Sequence, residues 1–408
     1  MLNGKILDNY ADLVIKFGVN LQKNQGLEII CPVEKREVAH ALARSAYKAG
    51  AKIVRMRWHD EIFDKICYEH ADTTALAEIP KWYVDSKNYL VENGYCYIAV
   101  SAEDPAIFKD IAPEKIATVA KARSKALKKF SDAVMANGLR WCVVSVPTLA
   151  WAKQVFPHAE NPEEALSQAI EITMRLDTEN PTLEWEKHID TLERRAKFLN
   201  DKNFEYIRFK NNKGTDLRVG LAIDHQWISA KEKAQDGIHF VANMPTEEVF
   251  TAPHREKVDG VLVSALPLCE NGQIIDDFTI KFKNGKIVDF SAKKGYETLK
   301  HLIETDSGTY RLGEIALIGK NSPVAKCNVL FYNTLFDENA SCHLAIGKGY
   351  PTTIKNGESY TIKELKEKGL NDSTEHIDFM IGTSDMSVIG VEKDGKESVL
   401  FKDGEWVI

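Results

Sequence analysis

The sequence lacks a basic excess, a CxxC pair and any apolar run near the roughly 18 residues a membrane helix needs. Lys+Arg number 53 against 60 Asp+Glu, a formal net charge of −7. That balance gives no basic face for nucleic acid. The 7 cysteines (Cys31, Cys67, Cys96, Cys142, Cys269, Cys327 and Cys342) are odd in number and scattered. They read as reduced thiols, not as a disulfide framework or a zinc knuckle. The opening stretch MLNGKILDNYADLVIKF has no basic segment leading into an apolar one. No secretion signal is expected, and the expected location is cytoplasmic. GxGxxG, GxSxG and HExxH are all absent. Gly313 to Lys320 has the wrong spacing for a phosphate loop and lacks its hydroxyl residue. No specific nucleotide or cofactor signal remains.

What is present is ordinary globular composition: 44% hydrophobic and 28% charged residues over 408 positions. At about 150 residues per domain, two or three domains are expected, with a core that needs no staples. The first half alternates. Leu27–Val33 reads as a buried strand. Arg36–Ala49 carries Val38, Ala41, Leu42 and Ser45 at helical steps. Lys52–Trp58 alternates Val54, Met56 and Trp58 against Arg55 and Arg57, the period of a strand. Further strands are expected at 95–101 and 140–146, with helices at 5–23, 81–92, 113–137, 163–176 and 184–200. Strand, helix, strand at this spacing predicts a parallel sheet with crossover helices. Near residue 200 the texture changes to short strands. Asn211–Thr215 signals a hairpin, and Asn271-Gly272, Asn284-Gly285, Asn356-Gly357 and Asp403-Gly404 signal turns. The expectation is an α/β N-terminal domain with a parallel sheet (1–200) and a β-rich α+β C-terminal domain (201–408).

Chemistry-bearing residues concentrate in four segments of the second half. Glu247-Glu248 lie between Pro245 and Pro253, where a regular helix is disfavoured. A solvated loop is the ordinary reading of such a pair. Glu314 enters the apolar run Leu312-Gly-Glu-Ile-Ala-Leu317, a costly place unless the carboxylate is paired or holds a cation. Alone, it is equally a strand-edge glutamate. Phe336–Tyr350 packs Asp337, Glu338, His343 and Tyr350 together. Glu338 and His343 lie about 140° apart on a regular helix, which would not converge them. A short helix capped by Asp337 competes with a site. His376 and Asp378 share one face of a strand, about 7 Å apart or less. That is a two-ligand clip suited to zinc, cobalt or manganese, or a plain His–Asp hydrogen bond. His40, His225 and His239 lack comparable neighbours; His59, followed by Asp60 and Glu61, reads as a strand end, and His254 beside Arg255 is at most a pocket-lining residue.

The motifs PTEEVFTAP, LGEIAL, FDENASCHLAIGKGY and HIDFMIG occur here in one order. In that order they resemble the thermophilic-type metalloaminopeptidases (aminopeptidases T and S). The resemblance spans the chain and is most specific in 243–382. It implies metal ligands Glu248, Glu314, His343, His376 and Asp378, with Glu314 shared between two divalent ions. Glu338 matches a further acidic position, as ligand or as base. Tyr350 matches an active-site tyrosine. The ions implied are zinc, cobalt, magnesium or manganese. The partners implied are peptides with a free N-terminus and a second copy of the chain, with no nucleic acid and no membrane. The first domain is expected to shape substrate access and assembly, the second to hold the catalytic metals. Two other readings stand beside this one: another metal-dependent amidohydrolase, and a non-catalytic homologue serving as a binding module.

Overall fold

A computed structural model describes residues 2–270 and 273–408. The expected turn at Asn271-Gly272 lies outside the described residues. The chain forms two compact units, Met1–Trp185 with Lys231–Pro245 and Glu186–Ala230 with Thr246–Ile408. The seam therefore falls at Trp185/Glu186, inside the helix Pro181–Lys202, and not near residue 200. Nothing in the composition marks it, because one continuous helix crosses it. The segment around 238–243, expected among the second-half strands, belongs to the first unit. Among the described residues no helix is long and apolar enough to cross a membrane.

In the first unit, β1 (Gly26–Pro32), β2 (Ile53–His59), β3 (Cys96–Ser101), β4 (Trp141–Ser145) and β5 (Asn243–Met244) form one sheet in the order β2-β1-β3-β4-β5. Every pairing is parallel. Parallel neighbours need crossovers, which the helices Arg36–Lys48 and Lys81–Glu92 supply. β1 is buried along almost its whole length, hence its near-continuous apolar sequence. β2 is an edge strand, so Trp58 keeps 43% of its surface exposed despite the alternating pattern. The expected helix 113–137 is two helices, Pro113–Ala126 and Lys128–Met135, broken at Leu127. A buried ion pair lies within this unit: Glu28 on β1 meets Lys87 Nζ at 2.9 Å and Arg57 Nε at 3.5 Å.

The second unit is antiparallel. Its hairpin joins Tyr206–Lys210 to Asp216–Leu221, and Asn211 Oδ1 closes the turn by accepting from Gly214 N and Thr215 N. Among the described residues this hairpin belongs to a nine-stranded sheet. A separate four-stranded sheet runs β6 (Val249–Thr251), β7 (Leu312–Leu317), β8 (His343–Gly347) and β9 (His376–Met380), in that order. All six residues of β7 are buried, and so are all five of β8. This small sheet positions the candidate site.

Candidate metal centre

Register decides which side chains meet. On β8, His343 faces Ala316 of β7 and Met380 of β9. Ala345 faces Glu314 and Asp378, and Gly347 faces His376. Opposed residues share a face, and so does every second residue along a strand. Glu314, His343, His376 and Asp378 therefore project from one side. Phe250 of β6 opposes Ala316, so Glu248, two positions earlier, approaches the same side just ahead of its strand. The positions between the functional residues are small: Ala316, Ala345 and Gly347. A β-bulge between Leu312 and Glu314 sets the phase of β7. At Gly313 a Cβ would lie 2.5 Å from the carbonyl oxygens of Gly347 and Lys348, so only glycine fits.

The ligand-type atoms converge into two overlapping triads, Glu248/Glu314/His343 and Glu314/His376/Asp378, each with its atoms within 4.8 Å of one another. His343 Nε2 lies 3.3 Å from Glu248 Oε2 and 3.4 Å from Glu314 Oε1. His376 Nε2 lies 3.3 Å from Asp378 Oδ1 and 3.9 Å from Glu314 Oε2. Glu314 thus offers one oxygen to each triad. The far nitrogens are tied down. His343 Nδ1 donates to the Glu338 carbonyl at 2.8 Å, and His376 Nδ1 to the Lys348 carbonyl at 2.7 Å. These bonds fix the tautomer that leaves both Nε2 atoms facing inward.

Electrostatics test whether a cation suits this cradle. Glu248 Oε2 and Asp378 Oδ1 are buried and, among the described residues, have no hydrogen-bond donor. Burial pushes the Glu314 carboxyl up, and the neighbouring Glu248 and Asp378 charges add to it. Glu338 is driven well above the usual carboxylate range by burial, then by Asp378 and Glu248. Burial alone would lower both imidazoles, but the carboxylates outweigh it: His343 is raised well above its usual value and His376 to about 10. Crowding makes the Glu314 and Glu338 carboxyls and both imidazoles hold protons, positive charge that a divalent ion would replace. Oxygen and imidazole donors suit zinc, cobalt or manganese. The residues fit the group.

Five expected ligand positions, Glu248, Glu314, His343, His376 and Asp378, are thus brought together. Glu338 opens a 3-10 turn, and its carboxyl feels Asp378 and Glu248 without joining either triad. The Tyr350 ring sits edge-on to His376 at 5.0 Å between centroids and to Phe250 at 6.1 Å. Asp337 ends the short helix Thr334–Asp337, whose cap is Asn333. Its carboxylate accepts from Phe331 N and Asn333 N, a structural duty. Glu247 turns toward His188, 3.7 Å away. His254 packs on Gly369 and accepts from Glu256 N. Sequence reasoning passed over Asn339 and the two carbonyls that orient the histidines. Backbone acceptors have no side-chain signature, and nothing local to Asn339 marks its bond to Glu247 N.

An α/β unit and an antiparallel unit with a carboxylate–imidazole cradle describe a candidate metal-binding protein. The comparison with known families is specific: residues 3–406 match the thermophilic metalloprotease (M29) family, and the chain belongs to it. It is 43% identical over 404 residues to aminopeptidase 2 of Geobacillus stearothermophilus, covering 98% of each chain. It is 40% identical to aminopeptidase AmpS of Bacillus subtilis, again covering 98% of each. Among solved structures, wild-type AmpT from Thermus thermophilus superposes with a TM-score of 0.93 at 34% identity, covering 99% of each chain.

Proposed function

We propose that the chain is a dinuclear metalloaminopeptidase that releases N-terminal residues from peptides with a free amine. The observation that supports this most is the pair of triads sharing Glu314 on one sheet face. Glu248, Glu314 and His343 would hold one divalent ion; Glu314, His376 and Asp378 the other. When bound, such ions would supply Lewis acidity and lower the pKa of a water they hold. The chain's own groups do the rest. Glu338, beside both triads but in neither, would take a proton as general base and return it to the leaving amine. Tyr350, held beside His376, offers its phenol to the developing oxyanion. The zinc, cobalt, magnesium or manganese ions of this reading, the homodimer and the cytoplasmic location belong to the same proposal. So does the division of labour, with the first unit shaping access and assembly.

Metal content per chain, measured beside release of amino acids from aminoacyl-anilides and from N-blocked peptides, tests it. The expected result is about two ions per chain, activity lost to chelator and regained with cobalt or zinc, and no action on blocked substrates. Cleavage of blocked amides would instead indicate a broader amidohydrolase. Ion binding without turnover would indicate a binding module.

A further inference from the structure

Resting on that reading, we infer that Asn339 is a positioning residue for the first of the two metal sites, Glu248/Glu314/His343. Four of the five ligand positions lie within the hydrogen-bonded ladder of the small sheet. Glu248 does not: the ladder begins at Val249, paired with Leu317. Residues 245–248 are irregular and buried, and an irregular buried backbone must find partners for its N–H groups. Asn339 supplies one. Its Oδ1 accepts from Glu247 N at 2.7 Å, one residue before the ligand.

Asn339 is itself fixed. It is 0% exposed. Its Nδ2 donates to the Leu335 carbonyl at 2.9 Å, and its own carbonyl accepts from Ser322 Oγ at 3.0 Å. It sits in the turn Glu338–Ala340, whose first carbonyl orients His343. One buried amide therefore braces the segment carrying Glu248 to the turn that aims His343. The second triad needs no such brace, because Glu314, His376 and Asp378 are all strand-borne. Loss of the Asn339 carboxamide should then separate the two sites, weakening the first alone.

The test is titration of the full-length, metal-stripped chain with cobalt(II), followed by its visible absorption. Asn339→Ala is expected to weaken one binding step at least tenfold, about 1.4 kcal/mol, and to leave the other unchanged. In a Glu248→Gln background the same change should add nothing. Ser322→Ala, which perturbs the same turn but keeps the brace, should titrate like wild type. Equal weakening of both steps, or of neither, overturns the inference. If Asn339→Ala does not fold, hydrogen exchange on the wild-type chain decides. Cobalt must slow exchange at the Glu247 amide more than at Val249, because a brace and the ion it serves stabilise each other reciprocally. Equal slowing also overturns it. A wild-type chain that takes up no cobalt refutes the metal reading itself, a result distinct from these.

Discussion

Both units bury carboxylates, and they neutralise them differently. In the first, Glu28 is met by Lys87 and Arg57, and Lys87 also lies over the Tyr97 ring at 4.5 Å. One acid faces two cations, all from the same chain. In the second, the salt bridges of Glu248, Glu314 and Asp378 all run to His343 and His376. Lysine and arginine close a buried acid as cations only; an imidazole whose proton an ion displaces becomes a neutral nitrogen donor beside the same carboxylates. The first arrangement is closed on itself, and the second is the candidate receptor of the proposed function. A buried acid therefore points to function only when its own chain leaves it short of positive charge.

The largest expected effect comes from the shared acid. Glu314→Gln should lower kcat/KM on the order of 10³-fold or more and reduce metal content, since both triads lose the shared negative charge and one of its two oxygens becomes an amide nitrogen. His254→Ala, outside the cluster, should change neither. Metal analysis beside steady-state kinetics checks both, and full activity in the Glu314 variant would dissolve the contrast.

Next comes the counterpart in the first unit. Glu28→Gln should cost about 3–5 kcal/mol in urea unfolding, because Lys87, 2% exposed, loses its carboxylate. Burial already lowers the Lys87 pKa, with Glu28 opposing that drop. Metal content should not move. A fall in bound metal in this variant would mean that the two acids do not have separate duties.

A third buried group sharpens the contrast inside the second unit. Among the described residues His225 forms no ion pair: Nδ1 donates to the Ala222 carbonyl, and Nε2 has no partner. Burial lowers its pKa to about 4, the opposite of His376. Its folded pKa is below the unfolded value near 6.5, so the unfolded chain binds the extra proton between them. Stability should fall as pH drops from about 6.5 to about 4, by roughly 3 kcal/mol from this group. His225→Gln should flatten that limb when urea midpoints are compared across the range. Parallel curves for the two proteins would remove His225 from the account.

The comparison also explains what could be read from the sequence. The parallel sheet was legible because β1 and β3 carry strand patterns separated by helical ones. The His376/Asp378 clip was legible because two-residue spacing on a strand is geometry in itself. The meeting of Glu248, Glu314 and His343 was not. It depends on the β7–β8 register, on a bulge beside Gly313 and on small residues at Ala316 and Ala345, none of which has a local signature. Motif order suggested these ligands where spacing was silent. The seam at Trp185/Glu186 was hidden because a helix crosses it, and the return of 231–245 to the first unit is a long-range event.

Tyr350 gives the smallest effect and the finest discrimination. Its ring meets His376 edge-on and packs beside Phe250, ring contacts that survive removal of the hydroxyl. Tyr350→Phe should therefore keep fold and metal content. If the phenol serves the oxyanion, kcat should fall about 10²-fold with little change in KM, since that bond strengthens only in the transition state. If the ring merely orients His376, Phe should be silent, while Tyr350→Ala should weaken the Glu314/His376/Asp378 step in a cobalt titration. The two substitutions together separate a group that touches reacting atoms from one that props up a ligand.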